Sequence, residues 1–217
     1  MALAPASPPD PVAPMLTGLT EVSDLLAHEL RNPLAAIKGH AQLLAELLPL
    51  DDDRHERAER VVAEVGRLER LVDDLLELSS TAVAHRSLTS PASLAQAAAE
   101  RAAGVVVVRC ERAPAEWPLD APKVAQALDR LLSCGLMCLS GRSGLELHVE
   151  SSDGVLYFRI LPNIKSDFRK IANIEKFELN QCPGLGMAVV RRAAALHRGD
   201  VLQVAAPDGG VALLLRS

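Results

Sequence analysis

Aromatic side chains are nearly absent: three Phe, one Trp and one Tyr make up 2% of 217 residues. That scarcity excludes stacking platforms for nucleic acid or carbohydrate and leaves Ala, Leu and Val to build the core. Also missing is any apolar run long enough to span a bilayer. Net charge is -5 with both signs interspersed, so no basic face offers itself to nucleic acid. Four cysteines, Cys110, Cys134, Cys138 and Cys182, lack paired metal spacing; they are expected as reduced, mostly buried thiols, with no metal site. Residues 1–15 begin with a Pro/Ala-rich stretch that has neither the basic start nor the apolar core of a signal peptide. They are expected to form a disordered tail, and the chain is expected to be cytoplasmic, without membrane or nucleic-acid partners.

What is present is a helical pattern around one short stretch, His28-Glu29-Leu30-Arg31-Asn32-Pro33-Leu34. Leu19, Leu26, Leu30, Leu34, Ile37, Ala41, Leu44 and Leu48 step by three, four or seven, which predicts a helix over residues 16–48 with one buried stripe. His28 lies about 200° round that helix from Leu26, so its imidazole is expected to face solvent, and Asn32 one turn on shares its face. Pro33 removes a helical hydrogen bond and costs about 3 kcal/mol, which predicts a bend beside the histidine. A neutral imidazole is a good nucleophile near neutral pH, and a neighbouring carboxylate, Glu29, can set its tautomer. A zinc reading is weaker, because it needs two histidines four apart on one face and position 32 is asparagine.

Pro49 and Asp51, Asp52 and Asp53 end this helix and open another. Ala58, Val61, Val65, Leu68, Val72, Leu75 and Leu78 repeat by three and four, giving an antiparallel hairpin over residues 16–83. A lone hairpin cannot cover such stripes. Two side by side make a four-helix bundle, so a homodimer is expected, the alternative being that the second helix packs on its own C-terminal domain. After a linker over residues 84–90, a second domain occupies residues 91–217. A strand at Val105-Val106-Val107-Val108, a helix over 123–139, a hairpin of 145–150 with 155–161 turning at Asp153-Gly154, a helix over 185–196 and closing strands at 201–206 and 211–215 are read there. The whole is α+β: a helical hairpin followed by an α/β sandwich with helices on one face.

The stretch from His28 to Leu34, followed by Ala35-Ala36-Ile37-Lys38-Gly39-His40, resembles the phosphoacceptor box of two-component sensor histidine kinases. The resemblance implies that His28 carries phosphate on a ring nitrogen, that Glu29 acts as base or orients the ring, and that Asn32 serves in dephosphorylating the partner. Arg31 and Lys38 are placed to steady the phosphoryl group, although helix charges of this kind are more often simply solvated. The second domain resembles the ATP-binding domain of the same kinases in degenerate form. Trp117-Pro118-Leu119-Asp120-Ala121-Pro122-Lys123-Val124 looks like the entry to the family's asparagine-box helix. Gly184-Leu185-Gly186-Met187-Ala188-Val189-Val190 looks like its last glycine box. Between them, Arg130 and Cys134 stand where the asparagines are expected, and no Asp-x-Gly-x-Gly occurs. Neither guanidinium nor thiol suits magnesium, which takes hard oxygen ligands.

The leading expectation is therefore a histidine phosphotransferase that relays a phosphoryl group between response-regulator aspartates through His28, with Mg2+ supplied by the partner receiver domain and no ATP-driven autophosphorylation. Two alternatives stay open: a sensor-type kinase with a divergent ATP site, and a dimeric scaffold or phosphatase-like modulator. Gly184 and Gly186 remain either as remnant nucleotide ligands or as a close helix-packing contact. The segment from Phe158 to Gln181, which holds every Phe of the chain, is read as capping a core or, alternatively, as a docking patch.

Overall fold

A computed structural model describes residues 13–80, 83–102, 104–139, 144–163, 185–204 and 209–217, with side chains from residue 25 on. Contacts divide the chain into two units, Met1–Ala82 and Val83–Ser217. In the first, α1 (Ala13–Leu47) and α2 (Asp53–Ser79) form the hairpin. The first helix starts inside the stretch expected to be a tail, and it runs through Pro33 as one continuous element. Asp52 caps α2, its side chain accepting from the Arg54 amide at 2.8 Å. The Arg54 side chain bonded to it holds the Asp52 carboxyl down to about 2. His55 Nδ1 lies 2.9 Å from the Ala45 carbonyl and ties the turn together.

The residues buried between the two helices are small: Ala27, Ala41 and Ala45 on α1, Ala58, Val65 and Val72 on α2. Large apolar side chains point elsewhere. Leu30, Ile37 and Leu44 are 46%, 49% and 55% exposed, and Val61, Leu68 and Leu75 are 43%, 38% and 49% exposed. The single stripe expected on each helix is thus two parallel heptad lines, one sealed within the hairpin and one left open. A period of three and four cannot separate them, because both lines carry apolar residues.

The second unit orders its elements as β1 (Ser87–Thr89), α3 (Pro91–Arg101), β2 (Val106–Arg112), β3 (Trp117–Leu119), α4 (Ala121–Cys138), β4 (Gly144–Ser152), β5 (Val155–Asn163), α5 (Gly186–Leu196), β6 (Asp200–Gln203) and β7 (Val211–Arg216). Its main sheet runs β2-β4-β5-β7-β6, parallel between β2 and β4 and antiparallel elsewhere. Strict alternation sends Leu145, Leu147 and Val149 of β4, Leu156, Phe158 and Ile160 of β5, and Leu213 and Leu215 of β7 into one core shared with α3, α4 and α5. The opposite face carries Glu146, His148, Glu150 and Arg159. Asp153 and Gly154, at φ 51° and 76°, make the two-residue turn between β4 and β5. Phe158 is fully buried; Phe168 and Phe177 lie outside the described residues. The expected linker is partly ordered, since β1 pairs with β3 in a small antiparallel ribbon. Expected thiols at Cys110 and Cys138 are free, whereas Cys134 is disulfide-bonded rather than reduced.

A buried polar group holds the ribbon to the sandwich. His197, fully buried, accepts from the Asp120 amide at Nε2 (2.9 Å) and bonds the Ala193 carbonyl through Nδ1 (2.8 Å). Asp120 in turn caps α4 and accepts the His85 amide at 2.9 Å. This arrangement needs a neutral ring protonated on Nδ1. Burial pushes the His197 pKa down; the bond to Ala193 opposes this, the Arg86 charge adds to it, and the Asp120 charge opposes it. The unfolded chain takes up a proton below about pH 6.5 while the folded one resists, so stability present above that pH is lost as pH falls through it. Urea unfolding followed by Trp117, the one tryptophan of the chain, is expected to show a lower midpoint at pH 5.5 than at pH 7. His197→Asn is expected to be less stable but to show a smaller pH dependence; an equal dependence in the variant contradicts the neutral ring.

Candidate functional site

His28 is exposed on α1 next to Ala27, which is 4% exposed and fixes that side of the helix against α2. One residue on, about 100° of rotation carries His28 off the seam. Glu29 and Asn32 are also exposed. None of the three side chains makes a hydrogen bond or ion pair among the described residues, so the imidazole is open to an incoming group. Pro33 has no amide hydrogen, which leaves the Glu29 carbonyl without its helical donor just beside His28. The cations nearby are engaged: Arg31 Nη2 lies 2.7 Å from Asp73, and Lys38 Nζ lies 2.7 Å from Glu69. Both pairs are partly exposed and join α1 to α2, where such pairs contribute roughly 0–1 kcal/mol.

The second candidate region lies on α4 and α5. Leu131 and Leu132 are buried core. Arg130 lays its aliphatic stem along Gly186, the first residue of α5, and Cys134 is buried with its sulfur already committed to a disulfide. A bonded sulfur and a guanidinium do not fit magnesium, and among the described residues no cluster of His, Cys, Asp or Glu could hold a metal ion. The helix N-terminus at Leu185 has no side-chain cap. Gly184 lies outside the described residues, as does the part of the Phe158–Gln181 segment after Asn163. Sequence reasoning did not foresee the network of Asp120, His85 and His197. The signal for its first member was there, since Asp120 precedes a helix with Pro122 in its first turn; nothing local pointed to His197.

Residues 19–82 match the family of the His Kinase A (phospho-acceptor) domain. The chain is histidine kinase-like. Sensor histidine kinase ZraS of Klebsiella oxytoca is 29% identical over 213 residues, 90% of this chain and 45% of that protein. Full-length ShkA, solved in complex with AMPPNP, shares the fold at a TM-score of 0.62 and 21% identity, covering 91% of this chain and 45% of that one. Histidine kinase ThkA, solved in complex with the response regulator TrrA, does so at a TM-score of 0.56 and 16% identity, covering 95% of this chain and 64% of that one. The histidine kinase-like chain spans less than half the length of ZraS and of ShkA. Its family match takes in the hairpin and with it His28, Glu29, Arg31, Asn32 and Lys38; α4 and α5 fall outside the match.

Whether Gly186 of this histidine kinase-like chain is a packing glycine can be decided. A Cβ there would meet only the Arg130 stem, at 3.6 to 3.8 Å, which is ordinary contact. Its φ is also outside the left-handed region. Gly186→Ala is therefore expected to change unfolding free energy by no more than about 0.5 kcal/mol, as for a neutral surface substitution. A loss above about 1.5 kcal/mol, the range of overpacking, would restore the packing explanation.

Proposed function

We propose that His28 is the phosphoacceptor of a two-component signalling protein and passes its phosphoryl group to an aspartate of a response-regulator receiver domain. The observation that carries this reading is an exposed, unpaired imidazole on the hairpin matched to the phospho-acceptor family, with Glu29 beside it and Asn32 one turn on. A ring nitrogen of His28 attacks phosphorus, the bond to the donor oxygen breaks, and the positive charge on the ring is relieved toward Glu29. Positioning and charge neutralisation supply most of the rate, and the Mg2+ belongs with the receiver domain. Arg31 and Lys38 steady the phosphoryl group only by loosening their hold on Asp73 and Glu69. No described helix is long and apolar enough to cross a membrane, and the reaction is one for the cytoplasm.

The phosphoryl donor distinguishes two readings. Relatives named as sensor histidine kinases favour ATP. Arg130 and disulfide-bonded Cys134 on α4 favour a relay in which the donor is a second receiver domain. Labelled ATP and a labelled response regulator, offered separately, divide them: label from ATP on His28 establishes the kinase, and label from the regulator alone establishes the phosphotransferase. In the reaction that labels the chain, His28→Ala is expected to abolish acceptance and Glu29→Gln to slow it by about 10²-fold. Asn32→Ala is expected to keep acceptance and alter only hydrolysis of the partner's aspartyl phosphate. Label persisting in His28→Ala, for example on His40 or His55, would refute the site.

A second copy of the chain is the proposed cover for the open heptad lines. Leu30, Ile37 and Leu44 with Val61, Leu68 and Leu75 form two matching apolar rows that two hairpins would bury as a four-helix bundle. Light scattering at micromolar concentration is expected to give a dimer for the full chain and a monomer for Leu68→Glu combined with Leu75→Glu. A monomeric native chain would remove the bundle.

A further inference from the structure

Arg31 neighbours His28 on α1 and yet is held by the other helix. Three residues separate the two on neighbouring turns, so their Cβ atoms lie roughly 5–6 Å apart. Ala27 lies one turn before Arg31 and is buried in the seam, as is Val72 beside Asp73. At about 100° per residue, Arg31 falls between that seam and His28. Its guanidinium crosses to α2, where Nη2 donates to Asp73 Oδ1 at 2.7 Å, and the pair closes the rim of the hairpin beside the imidazole.

This pair is easily opened. Both side chains are 46% exposed, and an ion pair so wetted loses little when it breaks. A phosphoryl group on a ring nitrogen of His28 brings nearly two negative charges and three acceptor oxygens. Asp73 offers a single charge, from a second helix. A guanidinium is a planar fork suited to two parallel N–H bonds with such an anion, and Arg31 already stands on the turn beside it. Charge, geometry and proximity all favour the phosphoryl group over Asp73. Lys38, ten residues from His28 and bonded to Glu69 at 2.7 Å, is the farther of the two cations. Glu29 stands two residues before Arg31, a spacing that does not bring side chains together on a helix, so while His28 is bare Asp73 keeps the guanidinium.

We propose that Asp73 is a positioning residue for the His28 site: it stores the Arg31 guanidinium on α2 while the imidazole is bare and yields it to the phosphoryl group once His28 carries one. The inference rests on the reading of His28 as phosphoacceptor. No covalent bond changes in the exchange itself. The ion pair between the helices opens, a new one forms within α1, and the Asp73 carboxylate passes into water. The chemical state of α1 is thereby registered on α2.

Phosphoramidate, which phosphorylates imidazole without an enzyme, tests the exchange on the full chain. A ring nitrogen forms its bond to phosphorus as the P–N bond of the reagent breaks, and the leaving ammonia takes the ring proton as ammonium. A shifted Arg31 Nε–Hε resonance is expected in treated 15N-labelled protein, and no shift in His28→Ala, whose other histidines still react. The initial rate of His28 phosphorylation, read by 31P resonance, is expected to rise about threefold in Asp73→Asn, the gain from freeing one exposed pair. Asp73→Glu is expected to restore the native rate. Glu64→Gln, which removes an α2 carboxylate paired with Arg67 instead, is expected to leave it unchanged. With Arg31→Gln already in place, Asp73→Asn is expected to change nothing, and unaltered helical circular dichroism checks the fold of each variant. An unshifted Arg31 resonance in protein phosphorylated on His28, a native rate in Asp73→Asn, or the same threefold gain with Arg31 already replaced overturns the proposal. Phosphoramidate needs no receiver domain, so failed transfer from a response regulator with these results intact refutes the relay and not the exchange.

Discussion

The close approach of α1 and α2 through small side chains is the constraint on which the hairpin depends. Alanines at 27, 41 and 45 and Ala58, Val65 and Val72 are its buried residues, with Leu34 partly buried on the same line. The large apolar residues at 30, 37, 44, 61, 68 and 75 turn outward, and with the seam fixed on one side the polar residues at 28, 29 and 32 are fixed on another. Placing His28 in solvent and leaving Leu30, Ile37 and Leu44 exposed are two results of one packing choice. The ion pairs of Arg31 with Asp73 and Lys38 with Glu69 lie outside that seam and set register more than they add stability.

In the second unit the corresponding constraint is alternation along β4, β5 and β7. One face is given wholly to Leu, Val, Ile and Phe, so the core closes under α3, α4 and α5 without help from the polar residues of α4. Cys134 belongs to that core, whereas Arg130 lies at its edge with its stem along Gly186.

How legible each part was follows from how local its cause is. The helices, the Asp153-Gly154 turn and the strand pairs around it were readable, since periodicity and turn chemistry act over a few residues. The exposure of His28 was readable for the same reason: the neighbouring turns of one helix decide where it faces. The ribbon of β1 and β3 was not. Each strand has three residues, too few to alternate, and Pro118 interrupts the second. His197 was equally hidden, because its partner Asp120 is 77 residues away in sequence. Splitting of the apolar stripes into a sealed and an open line was also invisible, being decided by side-chain size at the seam.

The charged row on the open face of the sheet shows the limit of reading from residues alone. Arg109, His148 and Arg159 are unremarked in the sequence, each an ordinary polar position in an alternating strand. Only pairing of β2 with β4 and β4 with β5 sets them side by side, and only the bulge in β2 adds Arg112. Like charges on adjacent strands repel unless carboxylates intervene, and Glu146 and Glu150 do intervene, on the same face of β4. They do so incompletely, with the Arg159 Nε left unanswered. Arg159 nevertheless suits this face, because its Nη2 pairs with Glu150 at 2.9 Å and a neutral residue there would leave that carboxylate without its cation.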